Sequence, residues 1–239
     1  MAPPASTRAF FIPSIVFLAI AFILSLIVSI SLPSLTTLDI ARVQFDNATA
    51  PQVAISSGSQ EQAQQLRFGI WSYCVYGANS TDRTCVDPGH GYSVQISYTA
   101  PDATSASNVT IGSSYTRGLG VHPVASAFTF LALLCSLSQH FTLMLLTIVL
   151  ALLSAFLTFL AFIIDIALFV RIRMEMGHLG GAIEHTTAGP GFWLSLAALL
   201  LLLLSSCTVF VGRRRARARA GVQTEKTGGF WTRFRRGRY

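Results

Sequence analysis

The apolar stretch from Val121 to Val170 constrains the fold most, because it runs for 50 residues with only the polar letters SLSQH breaking it. A membrane-spanning helix needs about 20 apolar residues. The stretch is therefore too long for one span and fits two spans joined by a tight turn. We predict these spans at 121–138 and 142–170, with the turn at 139–141.

Two more apolar runs, 10–32 and 192–211, are each long enough to cross a bilayer. A cleaved signal peptide is the alternative for 10–32. The apolar run of this segment is, however, longer than the roughly 7–15 apolar residues of such peptides. Charged residues make up 11% of the chain, against about 25% in soluble domains. This composition excludes a single soluble domain and predicts an all-α transmembrane four-helix bundle.

The basic residues are concentrated in the tail at 212–239, which alone carries nine arginines, Lys226 and Glu225, a net +9. Because the whole chain is +7, the rest sums to −2. The positive-inside rule places this tail, and with four spans also residues 1–9, in the cytoplasm. Basic and aromatic residues suit the anionic inner leaflet rather than nucleic acid. The predicted lipid contacts are Arg213, Arg214, Arg215, Trp231, Arg235 and Arg236.

The segment 33–120 contains all three asparagines of the chain, and each lies in an N-x-S/T sequon. Such sequons are glycosylated in the secretory lumen. We therefore predict that 33–120 is an extracellular loop, that 171–191 is a second one, and that Asn47, Asn79 and Asn108 carry glycans.

Two of the four cysteines, Cys74 and Cys85, lie close together in this loop. An extracellular loop is oxidising, so we predict a disulfide, with two free buried thiols as the alternative. Cys135 and Cys207 fall within spans and are interpreted as packing residues. Palmitoylation is the alternative for Cys207.

The sequences LRFGIWSYCVY and YSVQISYTA around this pair are rich in β-branched and aromatic residues and predict antiparallel strands. The sections 52–65 and 101–114 are rich in Ser, Ala, Gln and Thr, and we predict that they are irregular connections. The expected loop is one small disulfide-pinned sheet resting on the helices.

The pattern Gly69-x-Trp71-x-x-Cys74 followed by Cys85, in the first outer loop of a four-span chain, resembles claudin-like proteins. It is closer to the fungal PalI family, which it also resembles in VHPVASAFTFLALLCSLSQH, IIDIALFVRIR and GPGFWLSLAALLLLLLSSCTV, in that order. The resemblance covers most of residues 10–212. It implies a plasma-membrane protein of one of two kinds. One kind assists the seven-span receptor for ambient pH, and the other organises eisosome-type furrows of the membrane.

Trp71 is the single tryptophan of the loop. Claudin loops have a second one upstream, so the paracellular sealing of claudins is not implied. We predict that Gly69 permits a close backbone approach, that Trp71 lies on the outer ends of the helices, and that the motif is a structural clamp.

The sequence contains no nucleotide-binding or zinc-protease motif, so neither an enzyme nor a cofactor is predicted. Asp165 is the one carboxylate in an apolar run, and intramembrane acids are functional candidates. A structural ion pair, for instance with an outer arginine, or a helix-packing hydrogen bond is favoured over a proton relay. His90, His122, His178 and His185 fall outside on this topology; we interpret them as solvated loop residues, with pH sensing as the alternative.

These features predict a non-enzymatic plasma-membrane scaffold or receptor-assisting subunit in pH response or membrane organisation. A small transporter or channel subunit is the alternative.

Overall fold

The structure is a computed structural model that describes residues 5–46, 50–54, 60–77, 83–86, 89, 91–99, 105–138, 141–178 and 183–208. Its α-helices are α1 (Ala5–Ser29), α2 (Ser113–Arg117), α3 (Val121–Ser136), α4 (Phe141–Gly177) and α5 (Pro190–Thr208). Helix α2 and a 3₁₀ turn at Gly118–Gly120 lead directly into α3. Four helical segments are long and apolar enough to cross a membrane: α1, α2 with α3, α4 and α5.

Helix α4 is longer than the apolar run that predicted it, and it continues to Gly177. The segment 171–191, expected to be a loop, therefore begins with nearly two turns of helix. Leu168, Ile172 and Met176 explain this extension. They follow each other at a spacing of four residues, which places them on one face of the helix, and all three are buried in the core of the strands.

Nine strands lie among the described residues: β1 (Ala41–Phe45), β2 (Gln52–Ala54), β3 (Gln60–Gln62), β4 (Gln65–Phe68), β5 (Tyr73–Tyr76), β6 (Arg83–Cys85), β7 (Val94–Tyr98), β8 (Ser107–Ile111) and β9 (Ile183–Ala188). They form two antiparallel sheets, which together we call the β-domain. The five-stranded sheet has the order β6-β5-β4-β1-β9 and the four-stranded sheet the order β3-β2-β7-β8. The predicted antiparallel sheet with its disulfide is confirmed, and a second antiparallel sheet accompanies it.

Strand β9 comes from the segment between α4 and α5, yet it pairs with β1 near the start of the chain. Ala41 lies opposite Ala188 and Gln44 opposite His185. The five-stranded sheet is therefore built from the segment between α1 and α2 together with the segment between α4 and α5.

The predictions of irregular connections at 52–65 and 101–114 were wrong. Strands β2 and β3 lie in the first section and β8 in the second. Their Gln, Ser and Ala residues have weak strand propensity. However, β7 lies between the two sections and pairs with β2 along one edge and with β8 along the other. Strand formation here is decided by that pairing rather than by local preference.

The two sheets and α4 share one hydrophobic core. Val43 and Phe68 of the five-stranded sheet, and Ile96 and Val109 of the four-stranded sheet, belong to the same buried cluster as Ile172 of α4. Alternate residues of β7 are buried and exposed, as expected when one face of a sheet packs and the other faces solvent. The β-domain is thereby fixed to a membrane helix through its own core.

Candidate functional site

The letters FGIWSYC form a tight connection between β4 and β5, not one continuous strand. The N–H of Gly69 donates to the carbonyl of Ser72 at 3.0 Å, which closes the turn. A Cβ atom added at Gly69 would lie 2.5 Å from Cβ of Leu32. Leu32 follows α1, so only glycine lets this turn come so close to the end of that helix.

Two hydrogen bonds attach the same turn to the end of α1. The indole Nε1–H of Trp71 donates to the carbonyl of Ser29 at 2.8 Å, and the N–H of Ile70 donates to Oγ of Ser31 at 3.0 Å. The last carbonyls of a helix have no partner within the helix, and Trp71 satisfies one of them. Gly69, Trp71, Cys74 and Cys85 are called the clamp from here on.

The disulfide between Cys74 and Cys85 joins β5 to β6, where the two residues lie directly opposite each other. Cys74 is fully buried and shares a cluster with Leu32 and Tyr76. The chain after β6 returns to the turn, because the N–H of Gly89 donates to the carbonyl of Trp71 at 3.0 Å. The disulfide and this hydrogen bond therefore hold β6 and Gly89 close to the turn.

Tyr92 connects the clamp to α2. Its hydroxyl donates to the carbonyl of Gly69 at 2.7 Å, and its own carbonyl accepts the hydroxyl of Thr116 at 2.7 Å. Burial raises the pKa of Tyr92 far above the ordinary tyrosine value, with a smaller contribution from Tyr73. Burial likewise raises the pKa of Tyr73. Both shifts favour the neutral phenol in the folded protein.

Asp165 is fully buried, and its Oδ1 lies 3.0 Å from Nε2 of His122, which is also buried. The prediction of a solvated His122 was wrong, because the residue lies in the first turn of α3, facing α4. An arginine was offered as one partner for Asp165, but the partner observed is a histidine. Oδ2 of Asp165 is buried with no hydrogen-bond partner among the described residues. His178 and His185 are exposed.

Two further polar pairs connect the helices inside the bundle. The hydroxyls of Thr129 in α3 and Ser154 in α4 form a short hydrogen bond. Ser14 in α1 and Ser205 in α5 have their hydroxyls 3.0 Å apart, and Ser205 Oγ also lies 3.0 Å from the Ser14 carbonyl. Small hydroxyl residues are typical of contacts between membrane helices because they permit close approach and bond across the interface.

Asp39 and Arg42 form a site that the sequence interpretation missed. The guanidinium of Arg42 donates to both carboxylate oxygens of Asp39, at 2.8 and 3.0 Å, and Asp39 is fully buried. This hydrogen bond with Asp39 raises the pKa of Arg42. The carbonyl of Asp39 accepts the N–H of Gly191, and a Cβ at Gly189 would overlap it. The sequence signal was the pair DIAR and GPG, whose proximity only the fold reveals.

The remaining predicted residues have different outcomes. Asn108 is exposed on β8. Asn47, Asn79, His90 and the tail residues Arg213, Arg214, Arg215, Trp231, Arg235 and Arg236 lie outside the described residues. Within the described ranges no three His, Cys, Asp or Glu side chains are grouped as a metal site requires.

Four apolar helices, two antiparallel sheets built mainly from the segment between the first two of them and a disulfide within those sheets define a multi-pass membrane protein of the claudin-like class. The chain belongs to the SUR7/PalI family, whose family model matches residues 10–205.

A curated relative is the pH-response regulator protein palI/RIM9 of Yarrowia lipolytica. The two sequences are 28% identical over 207 residues, which is 84% of this chain. The same match covers 23% of the relative, so the chain spans about a quarter of that protein's length. The family-model match at residues 10–205 contains the clamp and most of each membrane helix.

Proposed function

We propose that this chain is a non-enzymatic plasma-membrane protein that acts in the response to ambient pH, as a scaffold or receptor-assisting subunit. The family match and the pH-response role of the palI/RIM9 relative support it. A seven-span receptor is the partner we propose for the pH-response branch. Eisosome components are the partners for the other branch that the family suggests.

The observation that carries this proposal is the rigid attachment of the β-domain to the membrane helices. The clamp bonds the β-domain to the end of α1, and the core of the β-domain contains Ile172 of α4. The Asp39 carbonyl bonds it to the start of α5. A domain attached to three helices moves little relative to those helices. It therefore holds neighbouring proteins at a fixed height and orientation relative to the membrane. That is what a scaffold or an assisting subunit needs.

We propose that the β-domain faces the cell exterior and that both termini are cytoplasmic. The arginine-rich tail supports this orientation through the positive-inside rule. Trp193 supports an interfacial position for the start of α5, because the residue is 59% exposed there and tryptophan favours the membrane–water boundary. The oxidised pair Cys74–Cys85 fits an exterior compartment.

Capture of the tagged full chain from fungal membranes, after cross-linking in intact cells at acidic and alkaline ambient pH, tests this proposal. We expect a seven-span receptor to co-purify, and cells lacking the chain to lose growth at alkaline pH. Cys74→Ser breaks the clamp, and this variant should lose both receptor co-purification and growth at alkaline pH. Cys207→Ser, at an exposed position on α5, is the matched control. Co-purification of furrow coat proteins alone would assign the chain to the eisosome branch. Normal alkaline growth and normal furrows without the chain would refute both.

A further inference from the structure

The exposed and half-buried side chains described on the solvent face of the four-stranded sheet are uncharged amides and hydroxyls. Register pairs Gln62 with Gln52, Gln52 with Ser97, and Ser97 with Asn108, which forms one row across all four strands. Residues paired in this way point to the same face of a sheet. The two glutamines and Asn108 are exposed and Ser97 is half-buried.

The neighbouring row continues this chemistry, because Gln95 of β7 lies opposite Thr110 of β8 and both are exposed. The one acidic residue of β3, Glu61, lies opposite Val53 and accepts the hydroxyl of Thr84 at 3.0 Å, so it belongs to the other face. The described side chains of the solvent face thus carry no charge. Amides and hydroxyls both donate and accept hydrogen bonds, which matches the hydroxyl groups of a neutral carbohydrate.

Asn108 and Thr110 are the first and third residues of a glycosylation sequon, and both side chains project from this face. Val109 between them is buried. The acceptor amide and the hydroxyl that defines the sequon are therefore accessible together, at one end of the amide row. From Asn108 the row extends over three strand spacings, roughly 14 Å.

We infer that Asn108 carries an N-linked glycan that lies back across the solvent face, over Ser97, Gln52 and Gln62. The inference rests on the proposed exterior orientation of the β-domain. The covalent link supplies a carbohydrate at the edge of the face at high effective concentration, and the row supplies hydrogen-bond partners. The glycan also shields β8, which pairs only with β7 among the described strands and contains neither charge nor proline, the usual protections of an edge.

Site-resolved mass spectrometry of the full chain from a fungal host tests occupancy, with Asn47 and Asn79 as internal references. We expect Asn108 to be occupied. An empty Asn108 beside an occupied Asn47 or Asn79 would overturn the inference and leave the orientation intact. No glycan on any sequon, together with labelling of the tail from outside intact cells, would overturn the orientation.

Coverage of the face is tested by the labelling rate of a thiol introduced by Gln52→Cys, in a Cys135→Ala, Cys207→Ala background. Thr110→Ser keeps the sequon, while Thr110→Ala and Asn108→Gln each remove it. We expect a bulky maleimide to label position 52 several-fold faster in the two variants that lack the sequon. Gln44→Cys, at an exposed position of the five-stranded sheet, is the control and should label equally in all of them. Equal rates at position 52 would mean that the glycan projects into solvent, which refutes coverage.

Discussion

His122 and Asp165 meet across the interface of α3 and α4, with Nε2 and Oδ1 3.0 Å apart and both side chains removed from solvent. They come from different spans, 43 residues apart in sequence. The pair lies close to the level at which α4 leaves the bundle and enters the core of the β-domain, since Leu168 is already part of that core. It therefore fixes the rotation of α3 against α4 at the base of the β-domain.

A double-mutant cycle on this pair measures its contribution to stability. His122→Ala or Asp165→Ala leaves the other group buried and unpaired, which costs about 1–3 kcal/mol. We expect the double variant to be less destabilised than the sum of the two, by about 0.6 kcal/mol and at most about 1.7. Thermal unfolding in detergent provides the measurement. Asp165→Asn keeps an acceptor for His122 and should be milder than Asp165→Ala. Strictly additive effects would show that the two side chains are not coupled.

Gly69→Ala should destabilise the protein by about 1–3 kcal/mol, the usual cost of overpacking, because the new methyl group would meet Leu32. Gly177→Ala is the matched control, since nothing lies within 4 Å of a Cβ at that position. Combining Gly69→Ala with Leu32→Gly, which removes the Cβ atom of residue 32, should cost less than the sum of the two single changes. Thermal unfolding of the wild type, the three single variants and the double variant provides the measurement. Equal melting of the two glycine variants would contradict a close approach at the clamp.

Cys74→Ser and Cys85→Ser should each retain the protein in the secretory pathway, because losing the disulfide costs roughly 2–3 kcal/mol. The double variant should be no worse than either single one, since both remove the same bond. Surface biotinylation measures delivery, and Cys207→Ser is the control. Normal surface amounts and normal function of either clamp variant would favour a free-thiol or ligand-contact role for these cysteines.

Alkaline pH should destabilise the β-domain through Tyr92. Its pKa is raised above the ordinary 10.0 in the folded state, so folding favours the protonated phenol. The corresponding stability is complete below about pH 10 and falls as the pH rises above that value. Thermal melts between pH 8 and 11 should show this decline, and it should be smaller in Tyr92→Phe, which has no proton to lose. A wild-type decline that Tyr92→Phe reproduces in full would assign it to other groups.

The tail at 212–239 should bind anionic bilayers, since it carries a net charge of +9 and each basic residue near the surface contributes about 1 kcal/mol. Binding of the tail peptide to vesicles with and without phosphatidylserine should differ sharply, and high salt should abolish it. Replacing Arg213, Arg214 and Arg215 by glutamine should weaken binding, and removing Trp231 should weaken the part that resists salt. Binding that ignores phosphatidylserine would refute the prediction.

Local patterns in the sequence predicted the parts of the fold that depend on local physics. Long apolar runs predict spans whatever surrounds them, and α1, α3, α4 and α5 lie where those runs are. The disulfide could likewise be predicted from the sequence, because two neighbouring cysteines in a segment predicted to lie outside the cell leave few possible pairings.

The parts that were missed depend on contacts between distant segments. Strand β9 reads IEHTTA and resembles a polar loop until β1 is placed beside it. His122 was predicted to be solvated because its partner, Asp165, lies on another helix. The role of Asp39 was missed because its carbonyl bonds to Gly191, which is distant in sequence. No periodicity within one segment contains that information.

The position of β9 at the edge next to β1 also sets an order of biosynthesis. Strand β1 begins at Ala41, while its partner β9 ends at Ala188, so a ribosome makes the partner only after nearly 150 further residues. Until then the open edge of β1 is available to other chains. A nascent protein truncated after α4 would hold an incomplete sheet, with the edge of β1 unpaired on one side. Completion of this sheet therefore requires the chain after α4 to lie on the same side of the membrane as β1.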